Sequence, residues 1–90
     1  MNKKEFIRNV AKRSGYSQAK TTEVLDAVLA EMFEAWADHK SLEFRGFGAF
    51  YVKKRAAKVG RNATTGEKID IPPKWVVQFR PGEILDDAIN

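Results

Sequence analysis

The stretch KKRAAKVGRNATTGEKIDIPPK, residues 53–74, is basic and centred on turn formers. It holds seven basic residues against Glu67 and Asp70. Its largest apolar side chains, Val59, Ile69 and Ile71, are too few to hold a core of their own. At its middle stands Gly60-Arg61-Asn62-Ala63-Thr64-Thr65-Gly66, a cluster of residues that favour turns. The pattern predicts a two-stranded arm that leaves the body, turns near residues 62–66 and returns. At about 3.3 Å per residue, eight or nine residues per strand would reach roughly 25–30 Å. In strand geometry Lys53, Arg55, Ala57, Val59 and Arg61 share one face, and Lys54, Ala56 and Lys58 the other. Charge on both faces suits a ribbon surrounded by phosphates. The small residues Ala56, Ala57 and Gly60 keep it thin enough to follow a groove. Pro72 and Pro73 lack backbone donors, which suits an edge or a bend where the arm rejoins the body.

Outward from the arm, both flanks read as strands. Upstream, Leu42 and Phe44 alternate with Glu43 and Arg45, the period-two pattern of a half-buried strand. Gly46-Phe47-Gly48 reads as a tight turn, and Phe50 and Val52 alternate in the next strand, which runs on into the arm. Downstream, Trp75-Val76-Val77-Gln78-Phe79 returns as a third strand, stopped by Pro81-Gly82. A short C-terminal helix follows, with Ile84, Leu85, Ala88 and Ile89 expected to face inward. Trp75 is a bulky aromatic at the arm base, where packing is its expected role.

Two helices precede the strands. Asn2 and Glu5 have capping-box spacing, with Asn in place of Ser or Thr. Phe6, Ile7, Val10 and Ala11 follow at helical spacing, and Gly15 suits the residue that ends the helix. Lys3, Lys4, Arg8, Lys12 and Arg13 occupy the other face. Ser17 is placed to cap a second helix over roughly residues 18–38, ending near His39-Lys40-Ser41. Val24, Leu25, Val28, Leu29, Met32, Phe33 and Trp36 cover about half its circumference. That is more apolar surface than one short neighbouring helix can cover. The fold class is therefore α+β: a helical base (1–38), a three-stranded antiparallel sheet (39–52 and 75–81), a β-arm (53–74) and a C-terminal helix (82–90) in one domain. A sheet and two helices in 90 residues cannot bury Phe44, Phe47, Phe50, Phe79, Trp36, Trp75 and the apolar face of helix 2. A symmetric dimer with a shared core is the economical solution, and it would present two arms as a pair.

Net charge is +4, and the positive charge is segregated. Residues 1–20 and 46–75 each sum to +5, whereas 21–45 sum to −4 and 76–90 to −2. Such segregation points to a polyanionic partner, nucleic acid before membrane. The chain has no cysteine for disulfides or thiolate metal sites. No apolar run approaches the roughly 20 residues of a membrane span, and charges interrupt the N-terminus at once. A cytoplasmic location is expected.

The motif set Gly46-Phe47-Gly48-Ala49-Phe50, Arg55-Ala56-Ala57-Lys58, Gly60-Arg61-Asn62, Thr65-Gly66, Ile71-Pro72 and Phe79-Arg80-Pro81-Gly82, with the opening Met1-Asn2-Lys3, resembles the HU and integration host factor family of bacterial DNA-bending proteins. The resemblance spans essentially the whole chain. It implies an intertwined dimer with a helical base, whose two arms embrace double-stranded DNA through the minor groove and bend it, contributing to DNA condensation in the nucleoid. By position, it implies arm contacts from Lys53, Arg55, Lys58, Arg61, Asn62, Ala63 and Thr65. It places Lys74 and Arg80 near the saddle where the arms leave the body, and Lys3 and the backbone of Gly46 against flanking phosphates. The family usually carries a proline after the arm-tip Asn that wedges between base pairs. Here that position is Ala63, which has less apolar surface and no rigid ring.

No element resembles a major-groove recognition helix. The arm offers Arg, Lys, Asn and Thr to the minor groove, whose pattern mostly separates A·T from G·C. Weak sequence preference and a preference for flexible or bent duplexes follow. An enzyme is not expected: His39 is the only histidine, and Asp86, Asp87 and the helix 2 acids read as solvated faces. No cofactor, metal, membrane or small-molecule substrate is implied. A site-preferring subunit, a protein-interaction module built on the basic arm, and an RNA binder are the alternatives, the last weakened by the lack of exposed aromatics in the arm. Pairing with itself or with a related subunit is left open.

Overall fold

The computed structural model describes residues 1–90 and divides them into two compact units, Met1–Glu34 and Ala35–Asn90. The element order is α1 (Lys3–Ser14), α2 (Gln18–Ala37), β1 (Leu42–Phe44), β2 (Gly48–Arg55), β3 (Lys58–Arg61), β4 (Lys68–Ile71), β5 (Lys74–Pro81) and α3 (Glu83–Ile89). This is the expected α+β order.

In the first unit the caps act as their residue types dictate. The Glu5 N–H donates to Asn2 Oδ1 (2.9 Å), and the Lys20 N–H donates to Ser17 Oγ (3.1 Å). Each bond satisfies a donor that a helix start leaves free. Gly15 ends α1 at φ +77, a left-handed conformation natural to glycine. Only Ile7, Ala11 and Thr21 are buried in this unit. Phe6, Val24 and Val28 stay exposed around an open apolar pocket of about 300 Å³.

Helix α2 ends inside the second unit. The Lys40 N–H donates to Ala35 O and the His39 N–H to Trp36 O, both at 2.9 Å. These two bonds make a Schellman cap with His39 in the left-handed position at φ +58. A non-glycine residue in that conformation costs about 1–2 kcal/mol. His39 is therefore a strained cap, and its ring has a partner described below.

The sheet order is β1-β2-β5, all antiparallel. The turn from β1 to β2 closes with the Phe47 N–H on Phe44 O (2.9 Å), with Gly46 at φ +83. Gly48 follows at φ +151, and a Cβ there would stand 2.6 Å from Arg80 O and 2.8 Å from the Phe79 ring. The close approach of β2 to β5 therefore requires glycine.

Register sorts the side chains of β2 and β5 onto two faces. Phe50↔Phe79, Val52↔Val77 and Lys54↔Trp75 fall on one face; Ala49↔Arg80, Tyr51↔Gln78, Lys53↔Val76 and Arg55↔Lys74 fall on the other. On the first face Phe50 packs against Phe79 (4.7 Å between centroids) and Trp36 (5.4 Å), and Phe47 joins them. Yet Phe47 is 49% exposed and Phe79 38%. Ala49 is the only buried apolar residue of this unit. The inward-facing expectation for the C-terminal helix holds only in part within the single chain: Leu85 is half-buried, but Ile84 is 72% exposed, although its Cδ1 reaches the Gly46 turn, and Ile89 is 69% exposed.

The arm also differs from the expected continuous ribbon. The body sheet continues through Arg55↔Lys74, so Lys53–Arg55 belong to the main sheet. The strands then break at Ala56-Ala57 and Pro72-Pro73, and a separate two-stranded ribbon, β3-β4, begins at Lys58↔Ile71. The consecutive prolines are the reason, since neither can donate to a ladder. The register is the same on both sides of the break, Arg55↔Lys74 before it and Lys58↔Ile71 after it, so the interruption removes ladder bonds without inserting a residue.

Candidate nucleic-acid interface

The second face of the main sheet collects Lys53, Arg55, Lys74 and Arg80, four of the site residues read from the sequence. Strand alternation places them there: each lies an even number of residues from Tyr51 on β2 or Gln78 on β5. Arg80 lies over the Tyr51 ring at 5.4 Å, a cation–π contact that orients the guanidinium. Sequence reasoning missed Tyr51 and Gln78 on this face, although their period-two spacing from Lys53 and Arg80 carried the signal. Lys54 points to the opposite, apolar face beside Trp75.

The ribbon carries the remaining arm cations. Lys58 shares a face with Gly60, Ile69 and Ile71, while Arg61 shares the other with Val59, Lys68 and Asp70. A Cβ on Gly60 would stand 3.0 Å from Ile71 Cδ1, so glycine keeps the ribbon thin here.

The turn at the tip is built by Asn62. Its N–H donates to Glu67 O (2.8 Å), its carbonyl accepts from the Gly66 N–H (2.7 Å), and its Oδ1 accepts from the Thr64 N–H (2.8 Å). Thr65 Oγ1 accepts from the Glu67 N–H (3.3 Å). The side-chain carbonyl of Asn62 is thus used within the turn, while its amide NH₂ makes no hydrogen bond. Ala63 sits exposed in the turn, and its N–H takes no part in a hydrogen bond.

Two pairs of like charges face each other across strands: Arg55↔Lys74 and Arg61↔Lys68. Directly opposed like charges destabilise a sheet. The ion pairs of the chain are Lys3–Asp26 and Lys20–Glu23, both in the helical unit. The cations of the sheet face and ribbon therefore stand without an anionic partner. Lys3 differs, since its Nζ lies 2.7 Å from Asp26 Oδ1. Gly46, the remaining site residue read from the sequence, presents a backbone N–H free of hydrogen bonds at the β1–β2 turn.

A sheet face and ribbon of unpaired cations, with two opposed like-charge pairs, define a surface built to receive a polyanion. Residues 1–90 match the family model for bacterial DNA-binding proteins. The chain belongs to that family. It is similar to the DNA-binding protein HU of Geobacillus stearothermophilus, at 44% identity over 90 residues covering 100% of both chains. It is also similar to the DNA-binding protein HU 1 of Bacillus subtilis (strain 168), at 40% identity over 99% of this chain and 97% of the other. Among solved structures it is similar to an Anabaena HU–DNA cocrystal structure, with a TM-score of 0.92 at 32% identity, over 99% of this chain and 97% of that one. Family membership makes this a DNA-binding protein rather than an enzyme. No helix is long and apolar enough to cross a membrane.

Proposed function

We propose that this chain is an HU-type architectural protein that grips double-stranded DNA through the minor groove with paired β-arms and bends it, with little sequence preference. The observation that carries the reading is the set of cations on the sheet face and ribbon that have no counter-ion in the chain. Phosphates would relieve both like-charge pairs at once, so DNA binding and arm folding support each other. Lys53, Arg55, Lys74 and Arg80 supply the saddle; Lys58, Arg61, Asn62, Ala63 and Thr65 supply the arm. The Gly46 N–H and Lys3 reach flanking phosphates, Lys3 only once Asp26 releases it. Contacts of this kind fix position and carry little sequence information.

The functional unit is a dimer. The chain buries only three apolar residues, Ile7, Ala11 and Ala49, and leaves Phe33, Phe44, Phe47, Phe79, Ile84 and Ile89 exposed. A chain this short with so small a core is not stable alone. A second copy, or a related subunit, supplies the missing half of the core and a second arm. Such a protein works in the cytoplasm on the nucleoid.

At the tip, Ala63 replaces the wedging proline common in the family. Unstacking a base step costs a few kcal/mol, and a methyl group recovers little of it. The protein therefore bends DNA with a smaller or less fixed angle than its proline-bearing relatives.

The test is a salt-titrated mobility-shift assay on linear, nicked and pre-bent duplexes. Affinity should fall steeply with salt, by about 0.9 log units per log unit of salt for each phosphate neutralised. Nicked and pre-bent duplexes should bind more tightly than linear ones, because less deformation energy is needed. A flat salt response, or tighter binding of single-stranded RNA than of duplex DNA, would overturn the reading.

A further inference from the structure

His39 and Trp75 form a stack that the DNA-binding surface does not use. Their rings lie 3.7 Å apart between centroids at 16°, nearly parallel. His39 sits in the loop between α2 and β1, in the left-handed conformation at φ +58. Trp75 sits on the edge strand β5, opposite Lys54 and one residue from the Arg55↔Lys74 pair. That pair is the last of the main sheet before the strands break at Ala56-Ala57 and Pro72-Pro73. Glycine would be the unstrained residue at position 39. A histidine held there against its backbone preference, with its only ring contact on Trp75, has the marks of a residue that acts through its side chain.

We infer that the His39–Trp75 stack is a clamp that positions the base of the arm for DNA. It ties the edge strand to the loop after α2, on the apolar face. By doing so it holds the Lys54↔Trp75 and Arg55↔Lys74 pairs closed and keeps Arg55 and Lys74 together on the cationic face, despite their mutual repulsion. His39 and Trp75 are positioning residues and touch no phosphate. The inference rests on the proposed DNA reading for its consequence in binding, but not for the clamp itself.

Three variants test it. His39→Gly removes the ring and suits the left-handed backbone, so the fold should be retained and its thermal stability unchanged or raised. Trp75→Thr removes the other ring in a residue that strands accept, and Trp75→Phe keeps an aromatic partner. Amide hydrogen exchange without DNA should quicken at residues 53–55 and 74–76 in His39→Gly and Trp75→Thr, and stay near wild type in Trp75→Phe. With DNA, the first two should bind about threefold to tenfold more weakly, with a salt slope lower by about 0.9 for each phosphate no longer neutralised. A role in stability alone would leave that slope unmoved. Unchanged exchange in both ring-deleting variants overturns the clamp. Faster exchange with wild-type affinity and slope overturns its role in positioning. If the wild-type protein itself fails to bind duplex DNA, the proposed function falls, and the exchange measurement still decides the clamp.

Discussion

The two faces of the β2–β5 pair are made by the same strands, residue by alternate residue, yet they answer to opposite physics. One face joins Phe50 to Phe79 and Val52 to Val77, with Trp36 and Phe47 packed on it. The other sets Arg55 against Lys74 and stands Arg80 over Tyr51. The first gains free energy by leaving water, about 25 cal/mol for each Å² of apolar area buried. The second is held within the chain by little more than buried Ala49 and the Arg80–Tyr51 contact, and its opposed like charges destabilise it. Both faces are incomplete in the isolated chain: one lacks apolar cover, the other lacks anions. The contrast shows how a 90-residue chain sets an apolar and a cationic surface back to back with one pair of strands.

A charge placed on the apolar face should produce the largest effect. Phe79→Asp removes an aromatic worth about 3–5 kcal/mol when buried and puts a carboxylate in the core that the proposed dimer would share. That loss approaches the whole stability of a small domain. The variant should sediment as an unfolded monomer at micromolar concentration and lose its cooperative melt in circular dichroism. In the wild type, melting temperature should rise with protein concentration, as mass action requires of the proposed dimer. A folded Phe79→Asp monomer would break the assignment of this face to a second copy.

Neutralising the cationic face should act with the opposite signature. The double variant Arg55→Gln, Lys74→Gln should weaken duplex binding by about tenfold or more near physiological salt and lower the salt slope by about 1.8 for each protomer bound. Its melting temperature should hold or rise, because the opposed charges are gone. Loss of stability together with loss of binding would mean that the two faces are not separable as the register implies.

Much of this arrangement is legible in the sequence. Caps, turn residues and period-two alternation locate α1, α2 and the three strands to within a residue or two, because each signal is local. Lys53, Arg55, Lys74 and Arg80 are site residues by family resemblance, and register brings them to one face. The break in the arm is less legible. Pro72 and Pro73 announce a bend, but whether β2 ends before or after Arg55 depends on its partner strand, which periodicity does not reveal. The His39–Trp75 stack is invisible for a related reason. It joins residues 36 positions apart through a cap conformation that ordinarily selects glycine. The exposure of Ile84 and Ile89 is likewise not legible, because periodicity marks an apolar helix face without showing what covers it.

The arm tip offers a smaller and more selective effect. Ala63→Pro removes no hydrogen bond, since the Ala63 N–H makes none. It also favours an extended conformation at Asn62. Stability should change by less than about 1 kcal/mol. The bend angle, followed by energy transfer between dyes at the ends of a short duplex, should become larger and more narrowly distributed. An unchanged distribution would remove the claim that residue 63 sets the bend.

The smallest effect concerns the one site cation that has a counter-ion. Lys3 and Asp26 are both more than half exposed, at 57% and 54%. Surface pairs of this kind contribute roughly 0–1 kcal/mol, so Asp26→Asn should leave the melting temperature nearly unchanged. Its effect on DNA should have the opposite sign to that of the sheet variants. With Asp26 neutral, Lys3 is free to neutralise a phosphate, and the salt slope should steepen by up to about 0.9 for each protomer bound, with a modest gain in affinity at low salt. Lys3→Gln, by contrast, should change little in the wild-type background, because there the lysine must first leave its carboxylate. Asp26→Asn combined with Lys3→Gln should return the slope to the wild-type value. If Asp26→Asn alone leaves the slope unmoved, Lys3 lies outside the DNA path, and the interface ends with the cations that the sheet and ribbon leave unpaired.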